Sequence, residues 1–222
     1  MTGHMEDMLQ GRRIGILGGS FDPIHQGHIN IALNARKEFS LDEVWFVPAG
    51  HSPNKDERRM TPAGDRARMV ELALADYPFF RLSRIELDAE ETSYTCRTLA
   101  KLNAHHPGNR FYFIMGADSL DYFEQWFHPE LICAYAVILV AVRDELDIAQ
   151  INAKIRYVEQ LFPAEIYPVR GGRTEISSTE LRRRIAEQTD PGTAPPDPCL
   201  PEPVWRYIRE RELYGSKAYG TE

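Results

Sequence analysis

Two rhythms of apolar spacing alternate along this chain. Short apolar runs bounded by turn residues predict buried strands near Arg13 to Leu17, Glu43 to Val47, Phe79 to Leu82, Arg110 to Met115, Ala136 to Val140 and Glu165 to Pro168. Between them apolar residues return at the helical spacing, most clearly over Gly27 to Phe39, Gly64 to Ala75, Ser93 to His105, Ile148 to Leu161 and Ser178 to Glu187. Strand followed by helix, repeated almost to the end, is the pattern of an α/β fold in which helices flank a parallel sheet. Ligands of such sheets bind at the carboxyl ends of the strands, so the loops after each strand are where chemistry should gather.

The pattern breaks in three places. Residues 189–203, TDPGTAPPDPCLPEP, hold six of the fifteen prolines and read as an extended connector, with a functional lid as the alternative. Val204, Tyr207, Ile208 and Tyr214 then fall on one face of a closing helix, a small C-terminal helical part. The longest apolar run, Leu131 to Val142, reads as a buried strand with its lead-in and is well short of the roughly 18 residues a membrane span needs. Residues 1–11 read as a flexible tail or partly a cloning remnant, leaving 12–222 as one domain, a size that supports a sizeable core.

Composition narrows the function classes. A net charge of −7 argues against a nucleic-acid groove, although a few basic groups converging on one site can still bind an anion. Cys96, Cys133 and Cys199 are odd in number and widely spaced, which suits neither a disulfide framework nor a zinc ribbon and points to a reducing cytoplasm. No membrane partner is expected, and a homo-oligomer is compatible with the sequence.

Candidate chemistry concentrates first in residues 12–39, RRIGILGGSFDPIHQGHINIALNARKEF. Here a strand runs into Gly18, Gly19 and Ser20, then a turn with His25 and His28, then a helix; Gly18, Gly19 and Gly27 should allow sharp turning and close ligand approach. Unpaired N–H groups in the first helical turn and the helix dipole favour a phosphate at this mouth, and the two histidines would add donors. The pair could instead bond locally, or ligate zinc with a third ligand from elsewhere. The phosphate reading uses every unusual residue of the segment at once. Asp22 is expected to shape the turn by bonding to backbone.

Further candidates lie on later loops. VPAGHSPNK ends in Lys55, either a phosphate contact or solvated surface. FIMGADSL places Gly116 and Asp118 at a strand end, where a carboxylate could meet ribose hydroxyls or cap a helix. Thr95 sits in SYT, and Trp126 with Phe127 offers either a stacking face for a flat ring or core packing. ISSTELRRRI puts Ser177, Ser178 and Thr179 ahead of a helix carrying Arg182: a capped helix with a solvated basic face, or a second anion site.

GGSFDPIHQGH resembles the signature loop G-x-F-D-P-x-H-x-G-H of the nucleotidylyltransferase superfamily, and ISSTELR resembles its second signature. With SYT, MGADS, Trp126-Phe127 and the ending LPEPVWRYIRERELYG, the order of motifs is similar to that of the bacterial nicotinate-nucleotide adenylyltransferases. The resemblance implies a Rossmann-like fold and adenylyl transfer from ATP to nicotinate mononucleotide in NAD biosynthesis; sister transferases use nicotinamide mononucleotide or phosphopantetheine. It implies catalytic roles for His25, His28, Lys55 and Arg182, and ATP contacts from Gly18, Gly19, Ser20, Gly27, Gly116, Asp118, Ser177, Ser178 and Thr179. Thr95, Trp126 and Phe127 would hold the pyridine nucleotide. Mg²⁺ would arrive with ATP, without a dedicated protein ligand.

Overall fold

The computed structural model describes residues 11–51, 60–89, 91–142, 148–171, 177–188 and 194–215. All six expected strands form: β1 (Arg13–Gly19), β2 (Glu43–Pro48), β3 (Phe80–Leu82), β4 (Arg110–Gly116), β5 (Ala136–Ala141) and β6 (Ile166–Val169). They lie in the order β3-β2-β1-β4-β5-β6, and every pairing is parallel. The order reverses direction between β1 and β4, which opens a crevice at their carboxyl ends.

The strands are apolar throughout because both faces of the sheet are covered. Leu17, Val44, Phe46, Tyr112, Ile114, Val137 and Leu139 face one core, shared with α1 (Gln26–Glu38), α2 (Ala63–Leu74), α7 (Ser178–Glu187) and α8 (Glu202–Glu210). Ile14, Ile16, Trp45, Val47, Phe113, Ile138 and Val140 face the other, shared with α3 (Thr95–His105), α5 (Pro129–Tyr135) and α6 (Ile148–Leu161). A short α4 (Ala117–Leu120) follows β4 directly.

One expectation is refined and two are corrected. The long apolar run divides as expected into the strand from Ala136 and a lead-in, and the lead-in, Leu131 to Tyr135, is the end of α5. Pro129 at the first helical position and Glu130 in the first turn start that helix, whereas apolar periodicity cannot separate a short buried helix from a strand. The Pro-rich segment, expected as an extended connector, is packed into the fold over its described part: Asp197 and Leu200 are buried. The Asp197 carboxylate accepts the Cys199 N–H at 2.7 Å and pairs with Arg184 of α7, while the Cys199 carbonyl accepts the N–H of Gln26 at 2.8 Å. The segment is therefore a strap pinned across the start of α1. In the closing helix Val204, Trp205 and Ile208 are buried, but Tyr214 lies beyond its end at φ 64°, not on its face.

Candidate active site

The turn after β1 differs from the expected one. Gly18 and Gly19 stay in the strand, opposite Val47 and Pro48, and the left-handed residue is Phe21 at φ 49°. Gly27 is a buried helical residue. The glycines therefore give room more than turning. A Cβ at Gly18 would meet only the Phe113 ring, at 3.9 Å, and one at Gly116 would meet nothing within 4 Å, so the crevice between β1 and β4 is open.

His25 is the N-cap of α1, and its Nδ1 accepts the Gly27 N–H at 3.2 Å. The His25 N–H in turn donates to Nδ1 of His28 at 3.2 Å, closing a reciprocal capping box with histidines where serine and glutamate are usual. With Nδ1 accepting in both rings, the neutral tautomer of each carries its proton on Nε2. The rings lie 3.9 Å apart, and Phe21 meets His28 edge-on at 5.0 Å.

The first-turn amides of α1, expected to be open, are occupied. Gln26 N–H bonds to Cys199 O, Gly27 N–H to His25 and His28 N–H to the His25 carbonyl, so these three amides are already spent. What remains for an anion is the helix dipole and the imidazole donors.

Burial lowers the pKa of His25 to about 4, against a smaller raising effect of Asp197. The folded state thus binds this proton less well than the unfolded chain, whose histidine titrates near 6.5. The associated stability, on the order of 3 kcal/mol, is fully present above pH 6.5 and is lost as pH falls toward 4. His25→Asn keeps an N-cap acceptor without a titrating ring. Its melting temperature is expected to fall less than that of the wild type between pH 8 and 5; equal slopes would sink this account.

α7 brings the second motif onto the first. Ser177 is its N-cap, accepting the Glu180 N–H at 3.2 Å, and Ser178 Oγ donates to the Pro23 carbonyl at 2.9 Å. Arg182 donates to the Asp22 carbonyl at 2.7 Å and to Thr179 Oγ1 at 3.3 Å. Its neighbours differ: Arg183 pairs with Glu180 and Glu187, and Arg184 with Glu180 and Asp197.

Arg66 on α2 was not anticipated from sequence. Almost fully buried, it donates to the Thr61, Ser20 and Ala49 carbonyls at 3.0, 2.8 and 2.7 Å, joining the loops that follow β1 and β2. Burial lowers its pKa, opposed by the Asp22 carboxylate and Tyr214. Asp22 bonds to remote partners rather than within its own turn, accepting the Tyr214 hydroxyl at 2.6 Å and the Thr61 N–H at 3.3 Å. Donors from α2 and α7 thus hold the Ser20, Asp22 and Pro23 carbonyls. Partnered carbonyls repel an approaching phosphate less than bare ones.

At the end of β4, Gly116 is the N-cap of α4, and Asp118 is an exposed first-turn residue rather than the cap. Further along the chain, Trp126 is half-buried, packed on Phe123 and Phe113 at 5.6 and 6.1 Å; its Nε1 is buried without a hydrogen-bond partner. The exposed ring of the pair is Phe127, stacked on Tyr94 at 4.4 Å with Arg97 over both. Thr95 opens α3 next to Tyr94. Ser93 Oγ accepts the Gly50 N–H at 3.0 Å, and its own N–H meets the His51 carbonyl, tying this segment to the loop after β2. Glu86, its pKa raised by burial, anchors the same segment by accepting the Thr98 hydroxyl at 2.6 Å. Lys55 lies outside the described residues. Among the described residues no group of three His, Cys, Asp or Glu is placed to hold a metal ion.

The profile of the cytidylyltransferase-like family matches residues 16–184, a stretch that contains both signatures. A protein of Thermoanaerobacter sp. strain X514 named "probable nicotinate-nucleotide adenylyltransferase" is 37% identical over 91% of this chain and 94% of its own length. This chain belongs to the nicotinate-nucleotide adenylyltransferase family. A second member, from Bacillus pumilus strain SAFR-032, is 34% identical over 92% of this chain and all of its own length. The fold is that of the Plasmodium falciparum nicotinic acid mononucleotide adenylyltransferase solved with NaAD. That structure superposes with a TM-score of 0.73 at 23% identity, covering 91% of this chain and 97% of the other. Among the described residues no helix is long and apolar enough to cross a membrane.

Proposed function

We infer that this chain transfers the adenylyl group of ATP to nicotinate mononucleotide, giving nicotinate adenine dinucleotide and pyrophosphate in NAD biosynthesis. The observation that carries this reading is the direct joining of the two signatures at the β1–β4 crevice, through Ser178 to Pro23 and Arg182 to Asp22.

The chemistry needs no protein nucleophile. A phosphate oxygen of the mononucleotide attacks the α-phosphorus of ATP, a new P–O bond forms, and the bond to the β-phosphate oxygen breaks with pyrophosphate leaving. The enzyme's task is alignment and neutralisation of charge on the transferring group. His25 and His28 donate from Nε2 toward the α-phosphate, beside Gly18, Gly19, Ser20 and the dipole of α1. Lys55, Ser178 and Arg182 serve the outer phosphates, with Ser177 and Thr179 shaping that helix start. Gly116 leaves space for the nucleoside, and Asp118 accepts from its ribose. ATP enters as its magnesium complex, the ion keeping water and phosphate ligands.

At the pyridine end the partly accessible indole of Trp126 offers the stacking face, and main-chain amides near Thr95 and Phe127 meet the carboxylate. Charge-assisted bonds of this kind are expected to favour the nicotinate over the nicotinamide form by at least about tenfold, or roughly 1.4 kcal/mol. Trp126→Ala should then impair use of the pyridine nucleotide much more than ATP binding. The deciding experiment incubates the protein with ATP, Mg²⁺ and each acceptor in turn, measures pyrophosphate and identifies the dinucleotide. Equal use of both pyridine nucleotides would overturn the acid preference. Transfer only to phosphopantetheine would move the chain to a sister activity.

A further inference from the structure

Tyr214, in the turn after α8, bonds to the signature loop although it is 192 positions from Asp22 in sequence. Both residues are buried, at 2% and 3% exposure, and the hydroxyl-to-carboxylate bond is 2.6 Å. Two aromatic residues near this bond occupy the left-handed region, Phe21 at φ 49° and Tyr214 at φ 64°. That conformation is unfavourable for bulky side chains and persists only where the surroundings over-determine it, most often at functional sites. Around Phe21 the surroundings are identifiable. Its following residue, Asp22, is held by Tyr214 and the Thr61 N–H on the carboxylate and by Arg182 on the carbonyl. The Phe21 ring is fully buried and meets the imidazole of His28 edge-on at 5.0 Å.

We propose that Tyr214 is a positioning residue for adenylyl transfer, fixing His28 through Asp22 and Phe21. The turn that follows α8 is thereby part of the active-site frame. The hydroxyl touches neither substrate; its bond decides where Asp22 lies, Asp22 decides the backbone path of Phe21, and Phe21 decides the face that His28 presents. This inference rests on the transfer reading above.

Tyr214→Phe keeps the ring that fills the core and removes only the hydroxyl. Its steady-state rate of pyrophosphate release with ATP and nicotinate mononucleotide is measured well below its melting temperature. The expected result is a fall in kcat of about tenfold with KM for the mononucleotide unchanged within about twofold, because orientation in the transition state is lost while the acceptor pocket is untouched. A wild-type kcat, or a loss confined to melting temperature, overturns the proposal. Should the single variant not fold, Asp22→Ala is compared with Asp22→Ala/Tyr214→Phe, which leaves neither partner stranded. Equal kcat in those two supports action through one bond, and a further tenfold loss in the double variant overturns it. A wild-type protein that makes no dinucleotide from any acceptor fails the transfer reading instead.

Discussion

His28→Ala is expected to lower kcat by about a hundredfold or more while KM for ATP moves only a few-fold. The reason lies in when its donor acts. Nδ1 of His28 is occupied by the His25 N–H at 3.2 Å, so the neutral ring has one N–H to offer, from Nε2. That single donor gains most when negative charge gathers on the α-phosphate, which happens in the transition state and little in bound ATP. Truncation also strips the His25 N–H of its acceptor, so thermal melting must accompany the kinetics. His28→Gln supplies a polar group of different reach and is expected to recover only part of the rate. Turnover of the Ala variant at the wild-type level would remove His28 from the mechanism.

The sequence displays parts of this site well and others hardly at all, for physical reasons. Parallel strands covered on both faces read as nearly unbroken apolar runs, so β1, β2, β4 and β5 were visible with their ends close to right. α6 and α7 were visible because their apolar stripes repeat at helical spacing between polar faces. Caps and signatures are local, and the spacing of His25 and His28 or of Ser177 and Arg182 is legible without knowing the fold. Long-range polar anchoring is different. Nothing near Asp22 announces a hydroxyl from Tyr214, and a strap of prolines looks the same in sequence whether it is solvated or pinned by Asp197. The state of the first-turn amides of α1 is hidden in sequence for a related reason: one partner is the Cys199 carbonyl, far along the chain. Which of Trp126 and Phe127 is exposed is not legible in sequence, since adjacent aromatic residues exchange exposed and packed roles with a small change in backbone direction.

Arg66 was the least legible residue and carries the second large effect. It lies in the first turn of α2 between Asp65 and Ala67, close to Arg68, and in such a polar stretch a charged side chain would ordinarily turn outward. Instead it is 1% exposed and serves the Ser20, Ala49 and Thr61 carbonyls at once. Arg66→Ala removes all three donors and leaves buried acceptors stranded, at about 1–3 kcal/mol each. It also leaves the Asp22 carboxylate without its nearby positive charge. A loss of about 3–5 kcal/mol is expected in urea unfolding, a large share of the roughly 5–15 kcal/mol typical of a folded domain. Arg66→Lys should recover less than half of that loss, because one ammonium cannot reproduce a planar fork reaching three carbonyls. Turnover should fall as well, even at temperatures where the Ala variant is fully folded, since Ser20 and Ala49 are the first residues beyond β1 and β2 and Ser20 belongs to the proposed phosphate loop. A loss of stability below about 1 kcal/mol would mean that water replaces the guanidinium at little cost. Full recovery by lysine would mean that charge matters here and the fork does not.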